Sequence, residues 1–116
     1  MGILDCIFCK IIRKEIPSII IKENEHLMVI KDLHPKAPVH NLIIPKKHIN
    51  DMSDITEDDK EILWEMNKMV KTLAAELDDP KAFNIMSNNG SAAGQTIFHM
   101  HWHFLSGENI FIGKFE

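Results

Sequence analysis

The chain has 116 residues, 45% of them apolar, which suits one domain of about 100–150 residues with an ordinary buried core. Thirteen Lys and Arg against 17 Asp and Glu leave a formal charge of −4 with histidine neutral, and this excludes the strongly basic footprint of a nucleic-acid clamp. Strongly apolar runs such as Leu27 to Ile30 fall far short of the roughly 20 residues that span a bilayer. Neither a nucleic acid nor a membrane is therefore an expected partner. The unusual component is histidine: protonating all seven would turn the balance into −4 + 7 = +3, so the sign of the charge rests on groups that titrate near neutrality.

The start of the chain carries Asp5 and no basic run, so it does not read as a secretory signal. Met1-Gly2 is followed by Cys6 where myristoylation wants Ser or Thr. A reducing, cytoplasmic compartment is expected, in which Cys6 and Cys9 read as a metal or redox pair rather than a disulfide. A thioredoxin-like role for them is disfavoured, because no strand precedes the pair. The sequon Asn89-Gly90-Ser91 reads as a turn for the same reason of compartment.

In chain order, Cys6 to Lys14 form a short helix that ends by Ile16-Pro17, because a residue before proline is pushed out of the helical region. Ser18 to Lys22 and Leu27 to Lys31 read as a hairpin across the polar Glu23-Asn24-Glu25-His26. After a loop punctuated by Pro35 and Pro38, Asn41 to Ile44 gives a third strand that stops near Pro45. The longest element is a helix over Glu57 to Leu77. Thr56 is its N-cap, Asp59 completes a capping box, and Glu57, Asp58 and Asp59 suit the positive end of the dipole. Ile62, Leu63, Met66, Met69, Val70, Leu73 and Leu77 recur on one stripe, as core packing requires. Phe83 to Ser87 is a fourth strand, Asn88 to Gly94 a loop, and Gln95 to Leu105 a long fifth strand. Two helices with about five hairpin-linked strands make an α+β fold with an antiparallel sheet, in a single domain over residues 1–116.

The last strand carries the chemistry. His99-Met100-His101-Trp102-His103-Phe104 alternates strictly, which sends three imidazoles to one face and three apolar side chains to the other. At about 6.8 Å between successive residues of one face, three rings cannot easily share one metal held at about 2.0–2.1 Å. At least one histidine is free for other work. A neutral imidazole is a nucleophile near pH 7, and neighbouring imidazoles can orient it. The Gly90 to Gly94 amides and the Thr96 hydroxyl offer donors for the oxygens of an anionic, phosphate-bearing substrate.

His99-Met100-His101-Trp102-His103-Phe104-Leu105, preceded by Gly94-Gln95-Thr96, resembles the signature of the histidine triad (HIT) family. Cys6-Ile7-Phe8-Cys9-Lys10-Ile11-Ile12-Arg13-Lys14-Glu15-Ile16-Pro17 is similar to the opening of its Hint branch, and Ala37-Pro38-Val39-His40 with Ile44-Pro45-Lys46-Lys47-His48 to its middle. Ser106 to Phe111 departs from the Trp-Pro-Pro-Gly tail of animal Hint proteins. The resemblance implies a HIT-like fold and a hydrolase of purine nucleoside phosphoramidates that releases AMP through a covalent nucleotidyl-histidine. His101 matches the nucleophile, and His103 would contact the phosphate or assist the leaving group, while His40 and His99 would orient and support the nucleophile. Asp32 falls at a ribose-binding position, and Asn88, Gln95 and Thr96 fall at phosphate-contacting ones. His103 stands where the uridylyltransferase branch has Gln. Dinucleoside polyphosphate hydrolysis and a non-catalytic nucleotide-binding module are the alternatives. The resemblance further implies a structural zinc on Cys6, Cys9, His48 and His99, no organic cofactor, and a homodimer whose sheets join with the long helix at the interface. His26 and His34, in turn-like segments, are expected at the surface.

Overall fold

The computed structural model describes residues 5–107; Glu108 to Phe111 of the terminal segment discussed above lie outside them. A helix α1 (Ile7–Ile12) leads to β1 (Ile20–Glu23), β2 (Leu27–Lys31) and β3 (Val39–Pro45), then α2 (Lys60–Ala75), β4 (Phe83–Met86) and β5 (Trp102–Ser106). The five strands form one antiparallel sheet in the order β1-β2-β3-β5-β4, the architecture expected from the sequence.

Residues Leu27 to Ile30 form an unbroken buried run because both faces of the sheet are covered. Leu27, Val29, Ile43 and Phe104 point to one face, where Met66, Met69 and Leu73 of α2 meet them. Met28, Ile30, Leu42 and Ile44 point to the other, under Phe8 and Ile11 of α1. Opposite burial of neighbouring residues follows from the two-residue period of a strand. The register pairs Leu27 with Pro45 and Lys31 with Asn41, and the ladder is prolonged by Asp32 N–H donating to His40 O over 3.0 Å.

α2 begins at Lys60 rather than Glu57, because Glu57–Asp59 coil more tightly as a 3₁₀ turn. Asp59 Oδ2 accepts from the Thr56 N–H at 3.0 Å, the reciprocal arm of a capping box. Its Oδ1 is held by Lys47 Nζ at 2.5 Å.

The fifth strand is shorter than the alternation suggests. It starts at Trp102, and residues 95–101 are irregular. β3 pairs with β5 only as far as Ile43 opposite Trp102. Two residues on stands Pro45, which has no N–H to continue the ladder. Met100 N–H donates instead to Ile49 O over 2.6 Å. The alternation of facing survives the loss of the ladder: Met100 and Phe104 enter the α2 core, while the His99 and His101 rings meet Phe8 on the α1 face.

Candidate active site and metal centre

On the α1 face, the structure gathers His40, His48, His99, His101 and His103 into two linked groups. His99 and His101 lie against the ring edge of Phe8, with centroids 5.8 and 5.0 Å apart. The His101 and His103 centroids are 5.1 Å apart, as are those of His40 and His103. His40 on β3 and His103 on β5 are diagonal neighbours, since His40 pairs with Leu105 and Leu42 with His103.

His101 is buried and its Nδ1 lies 2.8 Å from His99 O. A carbonyl only accepts, so Nδ1 carries the proton and Nε2 keeps a lone pair. The Nε2 lone pair is thereby turned to the side of the ring away from the His99 carbonyl. Burial lowers the pKa of the ring, opposed by the bond to His99 O and by the Asp32 charge, which preserves the neutral form. Burial likewise pushes His103 down to about 4, reinforced by His101 and His40. It also lowers His40, against the pull of Asp32.

His99 thus meets the His101 ring through its backbone carbonyl and not through its own ring. His40, expected to orient His101, has its Nε2 2.9 Å from His103 Nδ1 and 3.4 Å from an Asp32 carboxylate oxygen. Asp32 also accepts the His34 N–H through Oδ1 at 2.8 Å.

The loop expected to cradle phosphate is largely satisfied internally. Gly90 N–H donates to Gln95 Oε1 at 2.7 Å, and Ala93, Gly94 and Gln95 N–H donate to loop carbonyls. Gly90 and Gly94 have φ of 92° and 93°, a region that glycine enters freely. Gln95 is buried, and its Nε2 donates to Asn50 O at 2.8 Å and Ile97 O at 3.1 Å. It bolts the loop down with both ends of its amide, rather than presenting them to a ligand. Asn88 Nδ2 donates one of its two protons to Ala93 O at 2.8 Å, which leaves a second N–H as a donor, and Thr96 is exposed.

The second group is Cys6, Cys9, His48 and His99, whose donor atoms all lie within 4.8 Å of one another. A tetrahedral zinc with Zn–S near 2.3 Å and Zn–N near 2.05 Å sets S···N separations of about 3.6 Å. Here Cys6 Sγ to His99 Nδ1 is 3.3 Å, Cys9 Sγ to His48 Nδ1 3.3 Å and Cys9 Sγ to His99 Nδ1 3.6 Å. His99 Nε2–H donates to Pro45 O at 2.7 Å, so its Nδ1 lone pair faces the sulfurs, the outer hydrogen bond that metal-binding imidazoles ordinarily have. Burial pushes His99 down to about 4, which keeps that lone pair. Burial pushes the Cys9 thiol up to about 11, together with Cys6, and as ligands of a cation the two sulfurs would be held deprotonated instead. Two soft sulfurs with two imidazoles fit zinc in chemistry and spacing.

His34 is exposed as expected, whereas His26 is half-buried with Nε2 3.1 Å from Glu25. Sequence reasoning gave no role to Phe8, to the Pro45 carbonyl or to the Lys36 N–H, which donates to His40 Nδ1 at 3.0 Å. Phe8 stood inside the recognised opening motif, but a backbone group leaves no residue-type signal.

Comparison with known proteins agrees with this geometry. The family model described as HIT domain matches residues 13–110. An uncharacterized HIT-like protein of Synechocystis is 44% identical over 89% of this chain and 90% of its own length. Among solved structures, a HIT family hydrolase from Clostridium thermocellum superposes with a TM-score of 0.87 at 44% identity, covering 92% of this chain and 94% of that one. A Zn-bound histidine triad family protein from Mycobacterium smegmatis gives 0.78 at 33% identity, over 93% and 78% of the two chains. The chain belongs to the HIT family, and its fold is that of proteins described as HIT family hydrolases.

Proposed function

We propose that the protein is a nucleotide hydrolase of the phosphoramidase type, acting at the α-phosphate of AMP-containing purine substrates. The observation that carries this reading is the His101 Nδ1 to His99 O hydrogen bond, which leaves Nε2 as the lone-pair nitrogen of a ring whose centroid is 5.1 Å from that of His103. His101 Nε2 attacks phosphorus and a nitrogen–phosphorus bond forms as the bond to the leaving amine breaks. One proton is taken up with the departing amine. Water then attacks the nucleotidyl-histidine, releases AMP and returns that proton. Phosphoryl-type transfer needs mainly positioning and charge stabilisation, which is the work assigned to His103, Asn88 and Thr96. Asp32, near the end of β2, is assigned to the ribose hydroxyls.

Cys6, Cys9, His48 and His99 would hold zinc, which supplies a structural cross-link between α1 and the catalytic segment. The free thiols of Cys6 and Cys9 suit a reducing cytoplasm. A homodimer is supported by two uncovered apolar features, Trp64 at 58% exposure on α2 and the edge strand β4 with Phe83, Ile85 and Met86. Among the described residues no helix is long and apolar enough to cross a membrane.

Incubation with adenosine 5′-phosphoramidate tests the reading directly. AMP release by the parent is expected, with turnover abolished and nucleotide binding kept in His101→Ala. Binding without release by the parent refutes catalysis in favour of a nucleotide-binding module. Faster turnover of dinucleoside polyphosphates under the same conditions transfers the assignment to that substrate class.

A further inference from the structure

The hydrogen bonds around His40 run in one direction. His40 is 4% exposed and meets three groups: the Lys36 N–H 3.0 Å from Nδ1, His103 Nδ1 2.9 Å from Nε2, and an Asp32 oxygen 3.4 Å from Nε2. A backbone N–H can only donate. His40 Nδ1 must therefore hold its lone pair, and the proton of the neutral ring sits on Nε2. The nearest acceptor for that proton is His103 Nδ1. A proton on His103 Nδ1 as well would set two donors against each other at 2.9 Å, so His103 accepts there and carries its own proton on Nε2.

We infer that the backbone amide of Lys36 is a positioning group that fixes, through His40, the tautomer of His103, so that His103 meets the substrate as an Nε2–H donor. The chain of donors runs one way, from the Lys36 amide to His40, from His40 to His103, and from His103 to a phosphoryl oxygen. The other tautomer of His103 would turn a lone pair toward an anion and repel it. As a neutral imidazole, His103 keeps this proton. It stabilises charge developing on the phosphoryl group and does not act as an acid. The loop from Asp32 to Pro38 thus reaches the reacting group without touching it. The use made of the tautomer rests on the phosphoramidase reading, whereas the tautomer itself does not.

Long-range proton–nitrogen spectra of ¹⁵N-labelled protein near pH 7.5, free of nucleotide, read the ring tautomers directly. His40 and His103 are both expected with the proton on Nε2. Lys36→Ala, which keeps the amide, should preserve that pattern. Lys36→Pro, which removes the N–H, should give mixed tautomers at both rings and lower kcat for AMP release about 2- to 10-fold, in proportion to the fraction of His103 left without a proton on Nε2. A parent spectrum with His40 protonated on Nδ1 overturns the inference whether or not the proline variant folds. So does a folded Lys36→Pro protein with unchanged tautomers. If the parent shows the expected tautomers but releases no AMP, the tautomer assignment stands and the phosphoramidase reading falls.

Discussion

Removing metal from the Cys6, Cys9, His48 and His99 cluster should cost this protein a large, measurable part of its stability. The three S···N separations of 3.3, 3.3 and 3.6 Å already lie within a few tenths of an ångström of the roughly 3.6 Å set by tetrahedral zinc. Binding thus needs little rearrangement, and its free energy goes into holding the fold. With free zinc at about a thousand times its Kd, the contribution is about 4.1 kcal/mol. A chain of 116 residues unfolds with an entropy of about 0.24 kcal/mol/K, at about 2.1 cal/mol/K per residue. The quotient is a fall in Tm of about 17 °C on chelation. The assay pairs elemental analysis of protein purified without added zinc with calorimetry before and after a strong chelator. About one zinc per chain is expected in the parent, with none in the Cys6→Ser, Cys9→Ser double variant, whose Tm should ignore the chelator. A zinc content near zero in the parent, or a Tm unmoved by chelation of a loaded sample, refutes the reasoning.

Because burial lowers the pKa of His40 and pushes His103 down to about 4, the unfolded chain binds protons at these rings more readily than the folded one. Their contribution to stability is complete above the unfolded value of about 6.5 and is lost as pH falls from there toward about 4. Proton NMR titration of the folded protein should place the His103 midpoint near 4, and a midpoint at or above 6.5 contradicts the burial seen here. Gln95→Ala should cost about 1–3 kcal/mol by stranding the Gly90 N–H and two carbonyls, or about 4–12 °C in Tm. Unchanged stability with a raised KM would mean that Gln95 binds phosphate after all. In sedimentation, the parent should run with the mass of two chains and a Trp64→Glu, Met86→Glu variant with that of one; a monomeric parent at micromolar concentration removes the dimer.

Local and one-dimensional features were legible in the sequence. β2 falls at Leu27 to Lys31 as expected, and the Thr56 and Asp59 pair marks the entry to α2, because alternation and capping depend only on near neighbours. The length of β5 was not legible, since it is ended by a proline some 55 residues earlier, on the strand it pairs with. Gln95 was assigned a ligand's role by its place in the motif. In the fold its amide is engaged by the Gly90 N–H and by the Asn50 and Ile97 carbonyls, backbone partners that the motif does not reveal. The route from His40 to His103 was hidden for a related reason: residue spacing within β3 and β5 says nothing of which diagonal neighbours the register brings together.

The two helices that cover the sheet are very unequal: α2 has sixteen residues and α1 six. A helix of six residues does not persist alone in water, where about 12–15 are needed. Yet α1 supplies Phe8, against which both His99 and His101 rest, together with the Cys9 thiol. The face that carries the histidine cluster is therefore roofed by the molecule's least self-sufficient element. Its endurance is set by what fastens that roof at Cys6 and Cys9, more than by the depth of the larger core beneath α2. Local opening should begin at this end of the molecule and expose His99 and His101 before the sheet itself gives way.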